Sequence, residues 1–177
     1  MIIRNQGFTL FELILTLTLL AISVSIAVPT FSATLARQRQ HVEINALFHA
    51  IHLARKESVM RRKVVSICPS TDGQECSASK DWSSGWLLFE NRDRDSPPVV
   101  DPGEPILRIH TVGDGVQIVG NRRGFTLRAT FMRATNGTLV FCDQMQRIKP
   151  KALVISYTGR PRVASHKRNR ELYSCAD

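Results

Sequence analysis

Hydrophobic residues follow two different patterns along the first third of the chain. Residues 8–28 are predominantly apolar with a single charge, on Glu12, and a run of this length can cross the hydrocarbon core of a membrane as a helix. Pro29 interrupts the run, after which apolar residues recur at helical spacing, at Phe31, Leu35, Val42, Leu47, Ile51 and Ala54. The pattern predicts one long kinked helix to about Arg62, with a transmembrane and assembly segment at 8–28 and an amphipathic continuation at 29–62.

Beyond this helix the pattern changes to short β-rich runs separated by turn residues, which predicts a β-rich globular domain over residues 63–177. Hairpin connections are expected at 121–124 and at Asn136 and Gly137. The fold class is therefore α+β, with the helix packed on an antiparallel sheet or on a small two-sheet sandwich. The predicted strands are 64–68, 85–90, 105–111, 116–119, 124–132, 138–142 and 151–157.

Composition adds a preference for anionic partners. The 24 Lys and Arg residues against 15 Asp and Glu give a net charge of +9, which favours nucleic acid or acidic lipid as a partner. A length of 177 residues with 43% hydrophobic content is typical of one globular domain plus an appendage. The basic residues of the helix are interpreted as a solvated face: Arg37, Arg39, Arg55, Lys56, Arg61, Arg62 and Lys63.

The residue pattern does not favour an enzyme, a cofactor or a metal site. The sequence has no recognisable nucleophile motif, phosphate-binding loop or dinucleotide fingerprint, so no catalytic residues and no cofactor are predicted. His49 and His52 lie one helical turn apart, but a packing role is preferred to a metal site. The Pro-rich stretch 91–105 is expected to be an exposed loop, and its acids lack EF-hand spacing and alternate with arginines: Asp93, Asp95, Asp101 and Glu104.

Glu12 decides how the N-terminal apolar segment is interpreted. A secretory signal peptide cleaved near Ala27 or Ala33 is the alternative to a retained anchor, but the apolar run is longer than a usual signal core. A carboxylate inside a membrane costs about 2.5–3.5 kcal/mol, so its presence implies a partner. Arg4 precedes the run, which predicts a cytoplasmic N-terminal end and a globular domain on the other side of the membrane.

The string Gly7-Phe8-Thr9-Leu10-Phe11-Glu12 closely resembles the processing site of type IV prepilins and pseudopilins. The resemblance implies that residues 1–7 are a leader cut after Gly7 by the prepilin peptidase and methylase, and that Phe8 becomes the methylated first residue. Glu12 would then pair with the amino group of a neighbouring pilin subunit. The implied location is the bacterial inner membrane, single-pass with the globular domain periplasmic, and then the pilus filament or its tip.

The four cysteines form an even set in a domain expected outside the cytoplasm, where disulfide bonds persist. Three pairings are possible. Cys68 with Cys76 and Cys142 with Cys175 is favoured, because this pairing closes a short loop and ties the C-terminal tail to a strand. A zinc site is the rival interpretation, but the spacing of the cysteines is unsuitable and no pair of histidines lies nearby.

A second resemblance extends over most of the chain. The residues of 64–70, followed by Asp72, Gly73, Cys76, Trp82, Gly85 and Trp86, resemble the FimT and GspH group of minor pilins and pseudopilins. Near the C-terminus, the string Gly159-Arg160-Pro161-Arg162 matches the Gly-Arg-X-Arg motif of FimT members linked to DNA uptake. Gly159 and Pro161 favour an ordered turn in place of a strand, so that both arginines would project from a stiff loop.

These observations lead to two main functional hypotheses, and to a third in which the basic tail docks on acidic lipid or on an acidic protein. The first is a minor type IV pilin that binds extracellular DNA for uptake in natural transformation, through backbone contacts that tolerate any sequence. The predicted contacts are Gly159, Arg160, Arg162, Lys167, Arg168 and Arg170, with Arg122, Arg123, Arg128 and Arg133 as possible extensions of the positive surface. The second is a minor pseudopilin of a type II secretion system, in which the basic tail is only a solvated, charged segment.

Overall fold

The computed structural model describes residues 9–130 and 134–175, and the chain divides into two compact units, Met1–Leu35 and Ala36–Asp177. Helix α1 covers Leu10–Arg61 and so runs through both units, with Pro29 inside it. Its end agrees with the predicted one to within a residue. By length and composition, this is the one helix among the described residues that is apolar enough to cross a membrane, with a mean hydropathy of 2.3 in its most apolar window.

The first unit satisfies its polar groups within the helix. Thr9 and Glu12 form a reciprocal cap at the start of α1: the Thr9 amide and hydroxyl each donate to Glu12 Oε2 at 3.0 Å, and the Glu12 amide donates to Thr9 Oγ1 at 3.2 Å. The hydroxyls of Thr16, Thr18 and Ser23 donate to carbonyls three or four residues earlier. Internal satisfaction of this kind is what an apolar environment demands of a helix.

In the second unit, α1 contributes one buried stripe whose members differ in part from those predicted. Leu47, Ile51 and Ala54 are fully buried as expected, whereas Val42 is 59% exposed. Two polar residues occupy the stripe instead, Gln40 and Glu43. Gln40 Nε2 donates to the carbonyls of Phe141 and Lys149, and such buried polar groups are tolerated because they are hydrogen-bonded.

Eight strands lie within the described residues, and all pair antiparallel. The first sheet has the order β3-β2-β1-β5 and the second the order β4-β6-β7-β8. The strands are β1 Val65–Pro69, β2 Gly85–Glu90, β3 Ile106–Thr111, β4 Val116–Gly120, β5 Phe125–Leu127, β6 Gly137–Asp143, β7 Lys151–Ile155 and β8 Pro161–Ala164.

Helix α1 packs on both sheets through one common core. Ile44 and Leu47 of the helix share this core with Trp86 of the first sheet and with Phe141 and Leu153 of the second. The outer face of β1 and β2 is also buried, so Leu87 and Phe89 form a smaller cluster on that side. The observed architecture is the two-sheet form of the predicted α+β fold.

Three predictions about strands and their connections are wrong, and one strand was missed. Residues 121–124 and the Asn136-Gly137 pair do not form hairpins, because β5 pairs with β1 while its sequence neighbours β4 and β6 pair with each other. The predicted strand 124–132 is shorter and ends at Leu127. Strand β8 was not predicted at all, although it pairs with β7 along its whole length.

The loop after β2 is coil as expected, but it is fastened to the first sheet. Asn91 Nδ2 donates to Ser66 Oγ at 3.0 Å and to Asp95 Oδ1 at 2.7 Å, and Ser66 in turn hydrogen-bonds Thr126 Oγ1 at 3.0 Å. Pro98 is buried. A β-carbon on Gly124 would lie 2.4 Å from Pro98 Cγ, so only glycine allows this close approach. Through Pro98, the loop therefore packs closely against Gly124, just before β5.

Candidate functional site

The Gly-Arg-X-Arg string forms the turn and the first positions of an edge hairpin in the second sheet. Strand β7 runs to Ile155 and β8 begins at Pro161, with Ile155 opposite Pro161 and Val154 opposite Arg162. Residues 156–160 make the connection. Because β8 is the last strand of its sheet, one edge of the hairpin is unpaired among the described residues.

Hydrogen bonds within the connecting loop give it a defined shape. The Gly159 amide donates to the Ser156 carbonyl at 2.8 Å, and the Ser156 amide donates to the Arg160 carbonyl at 3.2 Å. Ser156 Oγ accepts from the Arg160 amide at 3.2 Å and lies 2.8 Å from Thr158 Oγ1. The Ala134 amide donates to the Tyr157 carbonyl at 3.0 Å, which ties the loop to the chain after β5.

Arg55 and Gly159 anchor the loop on the helix. The guanidinium of Arg55 donates to the Thr158 carbonyl, so Arg55 is a structural contact and not, as the sequence suggested, part of a solvated face. Gly159 is buried with a φ of +70°, and a β-carbon there would lie 3.0 Å from Arg55 Nη1 and 3.2 Å from Leu127 Cδ2. Glycine is therefore required both by the backbone angle and by the packing.

We expect Gly159→Ala to lower the free energy of unfolding by about 1–2 kcal/mol, because alanine is strained at this φ and its methyl must displace Arg55. Gly103→Ala is the matched control: Gly103 has a φ of +89° with nothing within 4 Å of the added carbon, so it reports backbone strain alone. Urea denaturation followed by circular dichroism measures both. Equal losses in the two variants would contradict a packing role for Gly159.

The loop and strand present Arg160 and Arg162 to solvent. Pro161 between them is buried, and both arginines are exposed, as expected from the alternation of side chains along an extended segment. The sequence analysis predicted a stiff loop for both residues. Arg160 does lie in the loop, but Arg162 lies on a strand, and that part of the prediction was wrong because the strand is formed by pairing with β7.

The remaining predicted contacts form a second turn near the C-terminus. His166 bridges to Leu172, the Lys167 amide donates to the Glu171 carbonyl at 2.7 Å, and the Arg170 amide donates to the Lys167 carbonyl at 3.0 Å. Arg168 and Arg170 are exposed and Lys167 is half-buried. The cations of the tail are thus held in a turn that follows directly from β8.

Two disulfide bonds join Cys68 to Cys76 and Cys142 to Cys175, the pairing favoured from the sequence. The second bond attaches the C-terminal tail to β6, and Tyr173 packs with it on the outer face of the second sheet beside Val140 and Ala152. Close by, Asp143 receives two hydrogen bonds from the Arg147 guanidinium, at 2.6 and 2.9 Å, and these hold the pKa of Asp143 below its usual value. The tail after β8 is therefore held at its start by the pairing of β8 with β7 and at its end by the disulfide bond between Cys142 and Cys175.

The possible extensions of the positive surface have different environments. Arg122 and Arg123 are exposed, and the Arg122 carbonyl accepts a hydrogen bond from Trp82 Nε1 at 3.2 Å. Arg128 is half-buried after β5. Arg133 lies outside the described residues.

The residues predicted to act in processing and assembly are described only in part. Gly7 and Phe8 lie outside the described residues. Glu12 is exposed and, within this chain, is bonded by Thr9. The Thr-x-x-Glu signature of a capping box stands in the sequence at these positions and could have identified this contact.

The acids of the loop after β2 are brought together only in part. Carboxylate oxygens of Asp93, Asp101 and Glu104 lie within 4.8 Å of one another. Glu104 is already used by the backbone, since its two oxygens accept from the amides of Arg92 and Asp101. Asp95 is held apart by Asn91 and by the Val99 amide, and partial burial raises the pKa of Asp95.

Besides the Gln40 contacts, sequence reasoning missed a second buried polar residue on the helix, Glu43. Glu43 accepts hydrogen bonds from His110 Nε2 at 2.8 Å and from the Gly113 amide at 3.0 Å, and the His110 ring stacks on Trp86 at 4.9 Å. These contacts join α1 to β3 and to the loop that follows it. A charged residue on the apolar stripe of an amphipathic helix is the sequence signal that could have indicated such a contact.

Comparison with family models gives two matches. A model described as type II transport protein GspH matches residues 43–159, which is more than half of the chain. A model described as a prokaryotic N-terminal methylation motif matches residues 3–28. Comparison with functionally curated proteins returns no significant match.

Comparison with solved structures finds two minor subunits with this fold. The type IV minor pilin FimU of Pseudomonas aeruginosa, strain PAO1, is 23% identical with a TM-score of 0.51, covering 72% of this chain and 87% of that chain. The minor pseudopilin EpsH from the Type 2 Secretion System of Vibrio cholerae is 10% identical with a TM-score of 0.51, covering 71% of this chain and 96% of that chain. The shared fold confirms the helix packed on two antiparallel sheets.

Proposed function

The chain belongs to the family of the type II transport protein GspH, and we propose that it is a minor type IV pilin that binds extracellular DNA and promotes DNA uptake in natural transformation. The family comprises structural pilin and pseudopilin subunits, and the methylation motif at residues 3–28 implies processing by a prepilin peptidase and assembly with other pilin subunits. In this proposal Gly7 precedes the cleavage site, Phe8 is methylated and Glu12 pairs with a neighbouring subunit. The unprocessed protein is held in the inner membrane.

One observation supports the DNA partner above the others. The β7–β8 hairpin is anchored by a buried Gly159, and it exposes Arg160 and Arg162 on either side of a buried proline. Guanidinium groups held on an ordered backbone can bind phosphate oxygens through two parallel hydrogen bonds. Lys167, Arg168 and Arg170 supply further cationic positions in the turn that follows.

The expected binding is electrostatic and tolerant of sequence. Tyr157, 66% exposed, is the aromatic residue at the tip of the hairpin, so stacking on bases contributes little beside phosphate contacts. With four or five phosphates neutralised, affinity should fall roughly 10²–10³-fold between 50 and 200 mM salt. Several copies in one filament would raise the overall affinity through multivalency.

We expect the double substitution Arg160→Gln and Arg162→Gln to weaken DNA binding about 10- to 30-fold at low salt and to lower the salt slope by about two, because two phosphate contacts are lost. The measurement is fluorescence anisotropy of a labelled 30-base-pair duplex with the full chain in neutral detergent, across a salt series.

The control for this experiment is Arg37→Gln with Arg108→Gln. Both residues are exposed, and the pair changes the net charge by the same amount away from the hairpin. Equal affinities and slopes for the two double variants would refute the hairpin as the DNA site.

The second candidate is a minor pseudopilin of a type II secretion system, which the description of the matching family favours. A secretion subunit has no requirement for cations at the hairpin. Absence of DNA binding by the unmodified chain at 50 mM salt would support this candidate over the first.

A further inference from the structure

Three segments of the second unit meet at one end of the first sheet. Strand β1 starts at Val65, which lies opposite Glu90 at the end of β2 and opposite Leu127 at the end of β5. Since β2 and β5 both run antiparallel to β1, the residues after each of them must lie beside the residues before β1. The Asn91 amide accordingly donates to the Val64 carbonyl at 3.0 Å.

Each of these three segments brings cations to the same place. A cavity of about 320 Å³ lies between them, lined by Arg62 and Lys63 at the end of α1, Arg94 in the loop after β2, and Arg128 and Thr130 after β5. The residues described as lining it include four cations and no acid. Apart from the neighbours Arg62 and Lys63, these cations are far apart in the sequence, and the strand pairing brings them together.

Two acids that lie close in the sequence to residues lining the cavity, Glu90 and Asp95, are engaged in other contacts. Glu90 is buried and is held by Lys63 and Arg92, and the Lys63 contact keeps the pKa of Glu90 below its usual value. Asp95 accepts from Asn91 and from the Val99 amide. Among the residues that the structure describes, Arg62 and Arg94 have no acidic partner, so their charge is available at the cavity.

Arg128 supplies an independent indication that an anion belongs here. Its Nε is buried and has no hydrogen-bond partner within the described part of the chain. A buried guanidinium donor without an acceptor is costly, and an anionic oxygen in the cavity would satisfy it. The Thr130 hydroxyl lines the same cavity and can donate to the same kind of oxygen.

The cavity is also linked to the proposed DNA hairpin. Leu127, which precedes Arg128, has its Cδ2 within 3.2 Å of the position that a β-carbon on Gly159 would take. The Ala134 amide reaches the Tyr157 carbonyl at 3.0 Å. Leu127 and Ala134 therefore both lie against the hairpin, and Arg128, which follows Leu127, lines the cavity.

We propose that the cavity formed by Arg62, Lys63, Arg94 and Arg128 binds a backbone phosphate of the same DNA that contacts Arg160 and Arg162. This inference rests on the proposed DNA-binding function and extends it to a second site on the first sheet. The DNA then extends from the β8 edge of the second sheet to the end of the first sheet where the cavity lies. These two contact points fix the orientation of the DNA on the subunit.

The test uses the full chain in neutral detergent with the labelled 30-base-pair duplex. The double variant Arg62→Gln with Arg94→Gln alters two exposed residues and should weaken binding about 5- to 10-fold and lower the salt slope by about one, the contribution of the single phosphate that the cavity binds. Arg128→Gln should lower the slope by about one. Lys63 is left unchanged because its removal would take a partner from the buried Glu90.

Three results separate this inference from the proposed function. If the cavity variants behave like Arg37→Gln with Arg108→Gln while the hairpin variant still loses affinity, the cavity site is refuted and the hairpin stands. If the unmodified chain does not bind DNA, both proposals fail. If the cavity variants lose affinity only together with their thermal stability, measured by circular dichroism, the cavity is structural and the inference is overturned.

Discussion

Replacing Phe125 by alanine is expected to lower the free energy of unfolding of the second unit by about 3–5 kcal/mol, the range for large aromatic residues in cores. Phe125 is fully buried, and its ring centroid lies 5.6 Å from that of Trp82. Its Cε1 would lie 2.7 Å from a β-carbon on Gly137, so the ring fills the space where β5 approaches β6. The substitution removes contacts between the two sheets and leaves a cavity.

The measurement is urea denaturation of residues 36–177, followed by circular dichroism under non-reducing conditions. Met145→Ala is the control, because Met145 is 75% exposed and its truncation should change stability by less than about 0.5 kcal/mol. A Phe125→Ala variant that unfolds at the same urea concentration as this control would contradict the position of Phe125 in the core between the two sheets.

Removing the disulfide bond between Cys142 and Cys175, by changing both residues to alanine, is expected to cost about 3–4 kcal/mol. The chain-entropy model relates the cost to the length of the closed loop, and this bond spans a sequence separation of 33. Cys142 is also almost fully buried beside Val140, so some packing is lost with the sulfur atoms.

The bond between Cys68 and Cys76 offers a matched comparison within the same chain. It spans a separation of only 8, so its removal should cost about 2–3 kcal/mol under the same model. Differential scanning calorimetry of the two double variants measures the difference. A greater loss from the shorter loop would show that the packing of the buried Cys68, and not the length of the closed loop, dominates disulfide stabilisation in this protein.

Removing the longer bond also has a predicted effect on the basic tail. The turn from His166 to Leu172 is closed by one bridge and by backbone hydrogen bonds, and the disulfide at Cys175 holds the chain just beyond it. Loss of this bond should leave Arg160 and Arg162 in place on the hairpin, whereas the turn that carries Arg168 and Arg170 should become less ordered. The hairpin and the tail can therefore be distinguished in the same DNA-binding assay.

The fold class could be predicted because its signals are local. A long, predominantly apolar run identifies the first half of α1, and the spacing of Leu47, Ile51 and Ala54 identifies its packed half. Val42 was wrongly included in that stripe, since Gln40 and Glu43 occupy buried positions. Their burial depends on acceptors and donors in distant strands and loops, which no periodicity in the helix can reveal.

Strand pairing was the least predictable part of the fold. Turn residues at 121–124 and at Asn136 and Gly137 suggested hairpins, but the chain crosses between sheets at both places. Glycine at these positions serves close packing, with Gly124 against Pro98 and Gly137 against Phe125. A turn residue in the sequence indicates a local backbone angle or a close approach of two segments. It does not indicate which strands pair.

The residues of the candidate site likewise differ in whether the sequence alone could identify them. Arg160 and Arg162 could be selected from the sequence because a short motif places them together, whereas Arg62, Arg94 and Arg128 are separated by tens of residues and carry no shared signature. Arg55 was assigned to a solvated face because its contact with the Thr158 carbonyl depends on where the hairpin docks.

The sequence by itself determined the apolar segment 8–28 with its single acid, the processing motif, the even set of cysteines and the basic string after Gly159, because each can be recognised without knowledge of tertiary contacts. Only the tertiary structure decided that β5 leaves its neighbours to pair with β1, that β8 forms as an edge strand, and that four cations meet at one end of the first sheet. Burial of a shared core selects among strand arrangements that are locally equivalent, and that selection brings distant charges together.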